Sequence, residues 1–253
     1  MMLLESRGLT KRFGGILAVN ELDFHLEEGE ILGLIGPNGA GKTTVFNMIT
    51  GTLRPTHGDM FFRGTRINGF KPSKIAQLGA VRTFQLTNLF SDMTVTDNII
   101  LGTHHKSGIG LWGALLWTKH VRKRQMDAVS EASKILEFMD LTTQKDMLAK
   151  NLPHGQQRCL EVSIALAAEP SLLLLDEPLQ GMNQEEVSDM LARISRIRSE
   201  GKTILLVEHN MKAVTSICDR IVVLNFGEKI AEGRPQDVMQ NPEVIEAYLG
   251  VET

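Results

Sequence analysis

A chain of 253 residues, 42% hydrophobic and 23% charged, has material for one large α/β domain or two small ones and the balance of an ordinary soluble fold. Its net charge of −3 gives no electrostatic footprint for nucleic acid, so no nucleic-acid partner is expected. Its two cysteines, Cys159 and Cys218, stand far apart, which argues against a disulfide or zinc framework and for reduced, buried thiols in the cytosol.

The opening, Leu3 to Glu30, reads as short strands around a turn at Gly14–Gly15, and it carries Glu5 and Arg7 where a signal peptide would be apolar. Ile31–Ile35 is a short apolar run that ends at Gly36, as a buried strand would, and Lys42–Thr50 follows as a helix. Asp59–Arg63 reads as an edge strand, Ser73–Leu78 as a helical turn and Ala80–Thr83 as another strand. From about 86 to 165 the pattern turns helical, with Val129, Ala132, Leu136 and Met139 at helical spacing. Within it, Gly108–Trp117 is the longest membrane-like stretch, far short of the ~20 apolar residues of a spanning helix. A helix is expected from the turn at Asn151–Gly155 through Ala168. The α/β rhythm then returns: strand Leu172–Leu175, a helix with Val187, Met190, Leu191, Ile194 and Ile197 on one face, and strands Thr203–Val207 and Ile221–Leu224. Pro235–Met239 and Pro242–Tyr248 read as short terminal helices.

Strands alternating with helices imply an α/β core with a mainly parallel sheet covered on both faces. Residues 1–85 and 166–253 are expected to form this core with an N-terminal antiparallel β portion, and about 86–165 an inserted α-helical subdomain.

Two motifs carry chemistry. Gly36-Pro-Asn-Gly-Ala-Gly-Lys-Thr43 fits GxxxxGK[ST] between a strand and a helix. The glycines let successive backbone N–H groups turn toward a phosphate, and the helix adds its positive dipole end. Lys42 supplies a charge to the β- and γ-phosphates and Thr43 a hydroxyl to Mg²⁺. The second motif is Leu172-Leu-Leu-Leu-Asp176-Glu177-Pro178. A carboxylate closing a buried strand, Asp176, suits the metal, and Glu177 beside it suits a general base or a positioner of water. By itself the phosphate loop says only NTPase or kinase, with Mg²⁺ as the expected metal.

At these residues the sequence resembles the ATP-binding cassette (ABC) ATPase family along essentially the whole chain, which identifies the phosphate loop as a Walker A motif. The resemblance implies a dimer, of two copies or with a paralogous subunit, that sandwiches two ATP molecules between the phosphate loop of one subunit and the signature helix of the other. It further implies roles for Gln85 at Mg²⁺ and the attacking water, for His209 at the γ-phosphate, for Phe13 in stacking on adenine, and for Thr44 in the loop. The signature segment departs from the family's Leu-Ser-Gly-Gly-Gln and reads Leu152-Pro153-His154-Gly155-Gln156. Pro153 offers neither hydroxyl nor N–H and is placed in the first turn; His154, Gly155, Gln156 and the helix N-terminus remain to meet the anion. Asn183 stands where the family has aspartate. Both changes bear on turnover more than on binding.

Gly155-Gln-Gln-Arg158, Gly181-Met-Asn183 and the ending Asn241-Pro-Glu-Val-Ile-Glu-Ala-Tyr-Leu-Gly250 resemble the ATPase subunits of branched-chain (hydrophobic) amino acid importers. This implies integral membrane permease subunits, indirectly a solute-binding protein, and a peripheral place on the cytoplasmic face of the inner or plasma membrane. Urea, short-chain amide and lipopolysaccharide-extracting systems use similar subunits. A soluble ABC ATPase of repair or translation, and a P-loop kinase or GTPase, are the readings from other classes. Leu89, Phe90 and Met93 fit either a groove for a permease helix or core packing; Trp112, Trp117 and Lys119–Arg124 fit either lipid or partner contact or a packed helix with a solvated basic end.

Overall fold

The computed structural model describes residues 1–83, 89–103 and 119–249, with side chains taken from 126 onward in the last segment and Leu249 left aside. Gln85, the Gly108–Trp117 stretch and the side chains of Lys119–Arg124 lie outside the described residues.

Strands β1 (Met2–Phe13) and β2 (Ile16–Glu27) form a hairpin across Gly14–Gly15. Each is 12 residues long, not the several short strands expected. The pairing shifts register between Ser6 and Leu9, and Gly8 and Glu21 have φ of 56° and 43°. Bulges of this kind interrupt the apolar alternation, which looks like a strand end, while the strand runs on. Strand β4 (His57–Phe62) pairs with β1 on one side and with β5 (Thr65–Arg66) on the other. It is therefore an interior strand, where an edge strand was expected; β5 is too short to show in the sequence.

The second sheet has the order β10-β9-β3-β8-β7-β6. Strands β3 (Ile31–Ile35), β6 (Ala80–Arg82), β7 (Leu172–Asp176), β8 (Thr203–Val207) and β9 (Arg220–Asn225) run parallel; β10 (Glu228–Gly233) returns antiparallel to β9. No apolar alternation announces β10, whose Glu228, Lys229 and Glu232 suit an exposed edge.

The parallel strands read as continuous apolar runs because successive side chains enter different cores. Ile31, Ile35, Leu173, Leu175, Ile204 and Leu206 face most of the helices. Leu32, Leu34, Leu172, Leu174, Leu205 and Val207 face the antiparallel sheet, with α1 (Lys42–Ile49) between through Val45, Phe46, Met48 and Ile49. Each fully buried Leu or Ile contributes about 1.5–3 kcal/mol relative to exposure, so these strands have no free face to slip toward. A helix α2 (Pro72–Leu78) leads into β6.

Helices α3 (Val95–Thr103), α4 (Lys119–Phe138) and α5 (His154–Ala167) pack on one another. Gly102 permits the approach, since a Cβ there would lie 2.4 Å from the Ile164 carbonyl oxygen. Their apolar residues belong to the same cluster as the sheet face: Val95, Ile99, Ala132, Leu136 and Met139 join Leu173, Leu175 and Ile204. Val129, expected on the buried face of α4, is 43% exposed, whereas Ala132, Ile135 and Leu136 further along the helix are buried. Met190, Ile194 and Ile197 bury the expected face of α6 (Gln184–Ser199), flanked by Val187 and Leu191. Three further short helices, α7 (Met211–Ile217), α8 (Pro235–Val238) and α9 (Pro242–Leu249), complete the described order. The sequence reading missed α7, although Asn210 caps it by accepting from the Ala213 amide at 3.1 Å.

Candidate nucleotide site

The loops that follow parallel strands leave one edge of the sheet together, the usual location for ligands in an open α/β fold. After β3 comes the loop Gly36–Gly41. Gly36, Gly39 and Gly41 have φ of 150°, 80° and 104°. At Gly36 the need for glycine is also steric: a Cβ would stand 2.1 Å from the Leu224 carbonyl oxygen at the end of β9. Asn38, Gly39 and Thr43 are exposed, Pro37, Gly41 and Thr44 half-buried. Ala40 is buried in the core, so of this expected ligand only the backbone is open to serve.

The N-terminus of α1 has the positive end of a helix with nothing of its own to neutralise it. No side chain caps it and no acidic residue lies in its first turn. The buried Lys42 ammonium donates to the carbonyls of Gly36 at 2.6 Å and Pro37 at 2.9 Å. Burial pushes its pKa down, while Glu177 and Asp176 hold it up. A cation beside first-turn amides is an anion cradle.

Asp176 closes β7 and receives Arg82 Nη2 at 2.5 Å. Arg82, from the end of the adjacent β6, also donates to Asn47 of α1 at 2.7 Å and lies 5.6 Å from the centre of the Phe46 ring. The sequence alone gives Arg82 no role. Glu177 has φ of 50°, and its amide donates to Val207 at 2.9 Å, across to β8. That turn carries its carboxylate to His209, whose Nε2 lies 2.6 Å from Glu177 Oε1. Two residues 32 apart in sequence, one expected at the attacking water and the other at the γ-phosphate, thus meet. Glu208 next to His209 was missed as well. It is 4% exposed, and its oxygens accept from the amides of Leu179 at 2.7 Å and His209 at 3.1 Å. Burial raises its pKa, against the lowering effect of those backbone donors.

The signature-like segment packs with other neighbours. Pro153 is the N-cap of α5, with φ −55° and ψ 152°, and not a first-turn residue as expected; its extended ψ stops the helix from starting before His154. The exposed His154 ring covers Gly181, and a Cβ on Gly155 would lie 2.5 Å from Glu186 Oε1. Buried Arg158 pairs with Glu161 at 3.0 Å and reaches Gln180 at 3.1 Å. Desolvation raises the Glu161 pKa, with Arg158 opposing. Gln156 Oε1 is buried without a hydrogen-bond partner among the described residues. Asn183 is engaged in a capping box at the start of α6: its side chain accepts from the Glu186 amide and its own amide donates to Glu186, both at 3.0 Å.

Phe13 ends β1 with its ring 45% exposed and Lys11 Nζ 5.0 Å from its centre. It shares a hairpin end with Ala18, against whose carbonyl Gly41 is packed. An exposed ring at the edge of the phosphate loop is open to stacking. Leu89 packs on the core and Phe90 is 56% exposed.

A nucleoside triphosphate fits these residues: an uncapped helix start, a buried ammonium and a loop whose Gly36, Gly39 and Gly41 all have positive φ. Mg²⁺ fits as well. One carboxylate, Asp176, and one hydroxyl, Thr43, are hard oxygen donors, and no cluster of three metal-ligating side chains occurs among the described residues. That set suits an ion held jointly with substrate phosphates more than a cage made of protein alone.

Residues 19–180 match the family described as "ABC transporter", and residues 228–253 that described as "Branched-chain amino acid ATP-binding cassette transporter". The sequence is similar to the high-affinity branched-chain amino acid transport ATP-binding protein LivG of Escherichia coli (strain K12), with 44% identity over 249 residues covering 98% of each chain. It is equally similar to BraF of Pseudomonas aeruginosa, at 44% identity and 98% of each chain. Among solved structures it resembles a nucleotide-free ATP-binding cassette from an ABC transporter, with TM-score 0.87, 32% identity, and 98% and 99% of the two chains covered. The ADP conformation of such a cassette gives 0.86 and 31%, covering 99% of both.

Proposed function

From a chain that belongs to the ABC transporter ATP-binding family, and within it to the branched-chain amino acid transport ATP-binding proteins, we propose an ATPase subunit that drives amino acid import. The observation that carries the reading is the convergence of Lys42, Asp176 and the Glu177–His209 pair on the edge where α1 begins.

The loop amides and Lys42 neutralise the triphosphate tail, and its binding draws the ammonium away from the Gly36 and Pro37 carbonyls. Asp176 and Thr43, with Gln85 by family resemblance, would hold Mg²⁺, which supplies positive charge to the phosphates. Glu177 takes a proton from the water that attacks the γ-phosphorus, as the bond to the bridging oxygen of ADP breaks. His209 orients Glu177 and, freed from it, donates to the γ-phosphate. Phe13 offers its exposed face to the adenine.

The second half of each site comes from a partner subunit, identical or paralogous. The start of α5 meets its nucleotide through the exposed His154 imidazole, in place of a serine hydroxyl, and through the first-turn amides of Gly155 and Gln156. ATP favours the closed pair, hydrolysis reopens it, and this population shift moves permease subunits on the membrane. By family resemblance those subunits are separate chains and this one is peripheral, on the cytoplasmic face; no helix among its described residues is long and apolar enough to cross a membrane. A solute-binding protein delivers the cargo to the permease.

Two measurements test the reading. The purified chain should hydrolyse Mg-ATP at a specific rate that rises with protein concentration, as pairing requires. Removing the chain from its host should abolish high-affinity uptake of radiolabelled leucine, isoleucine and valine. Undiminished uptake of all three would overturn the substrate class, and nucleotide-independent behaviour of the chain would overturn the motor.

A further inference from the structure

We propose that Glu208 is a positioning residue that clamps the loop after Glu177 to the loop bearing His209, and so sets the geometry of the catalytic pair. The inference rests on the ATPase reading above. Glu208 carries a buried carboxyl group, and such a group is unfavourable unless it is paired or hydrogen-bonded. Backbone donors on two different loops meet it: the Leu179 amide on one oxygen, the His209 amide on the other. The Asn210 amide also stabilises the charge. Leu179 stands two residues after Glu177, and His209 is the other half of the pair. One rigid side chain thus spans both approaches to the 2.6 Å contact between Glu177 and His209.

The same clamp reaches the signature helix. From Leu179 the loop continues to Gln180, which Arg158 holds, and to Gly181, which His154 covers. Displacement of His209 is therefore passed through Glu208 to the residues that open α5. A neutral apolar residue at 208 would leave the amides of Leu179 and His209 without acceptors, and the two loops would settle independently.

The test compares Glu208→Ala and Glu208→Gln with the parent chain in ATP turnover, ATP affinity by calorimetry, and amide hydrogen exchange at Leu179 and His209. Misplacement of reacting groups by about 1 Å lowers rates on the order of 100-fold, so Glu208→Ala should reduce kcat by roughly 10–100-fold. ATP affinity should stay within about threefold, because the triphosphate cradle is elsewhere, and both amides should exchange faster. Glu208→Gln should fall between, since its one carbonyl oxygen can serve only one of the two loops. A kcat within twofold of the parent for both variants overturns the clamp. So does a loss of affinity that parallels the loss of kcat, which would mark a general structural defect. If the parent chain itself does not hydrolyse ATP, the ATPase reading fails, while unchanged amide exchange or changed exchange still decides whether Glu208 ties the loops.

Discussion

Gly36 and Gly39 occupy the same loop and look equivalent in sequence, yet alanine should act on them differently. At Gly36, whose φ is 150°, the new methyl would lie 2.1 Å from the Leu224 carbonyl oxygen and 3.0 Å from Ala40 Cβ. Carbon contacts are comfortable near about 3.5 Å or more, so the loop and the end of β9 must separate by roughly 1 Å. At Gly39, φ is 80° and nothing lies within 4 Å, so the methyl meets only the backbone preference. Both variants carry strain of about 1–3 kcal/mol for an unfavourable backbone region. Gly36→Ala adds an overpacking penalty of about 1–3 kcal/mol. For a domain of this size that extra amount lowers Tm by about 2–12 °C. Thermal unfolding without nucleotide isolates the effect from any contact with phosphate. Titration with a fluorescent ATP analogue should then show weaker binding for Gly36→Ala even where it remains folded. Equal melting temperatures for the two variants, or a more stable Gly36→Ala, would refute the steric account of this loop.

Glu177→Gln keeps the shape of the side chain and the 2.9 Å bond from residue 177 to Val207, so ATP affinity should be retained while kcat falls by about 10²–10⁴-fold; size-exclusion chromatography should show an ATP-dependent dimer. Asn183→Asp should leave stability within a few tenths of a kcal/mol, whereas Asn183→Ala should cost about 1 kcal/mol through the lost N-cap, measured by urea unfolding. ATP binding should weaken at alkaline pH. Burial lowers the Lys42 pKa, and bound phosphate favours the ammonium, so the free protein loses this proton first and binding there takes one up. Calorimetry in buffers of different ionisation enthalpy should detect that uptake, and a pH-independent affinity across the range would contradict it.

The parts of this protein that the sequence reveals are those whose cause is local. Ile31–Ile35 and Thr203–Val207 have the expected bounds because an unbroken apolar run ends at a glycine or a charged residue. The phosphate loop is legible because its glycines answer a backbone requirement. Arg82 and Glu208 are different. Arg82 acquires meaning only when β6 is laid beside β7, and Glu208 only when the loop after β7 returns over the end of β8. Pro153 and Asn183 are visible as departures from a motif, but their capping positions depend on where α5 and α6 begin. Strand β10 stays hidden because an exposed edge needs no apolar pattern.

The single apolar cluster beneath both the parallel sheet and α3–α5 constrains how this subunit can deform. A lobe joined through a thin linker swings like a door. Here Val95, Ile99 and Leu136 lie in one apolar cluster with Leu173, Leu175 and Ile204, so any large displacement of α3–α5 from the sheet would leave voids in a close-packed interior.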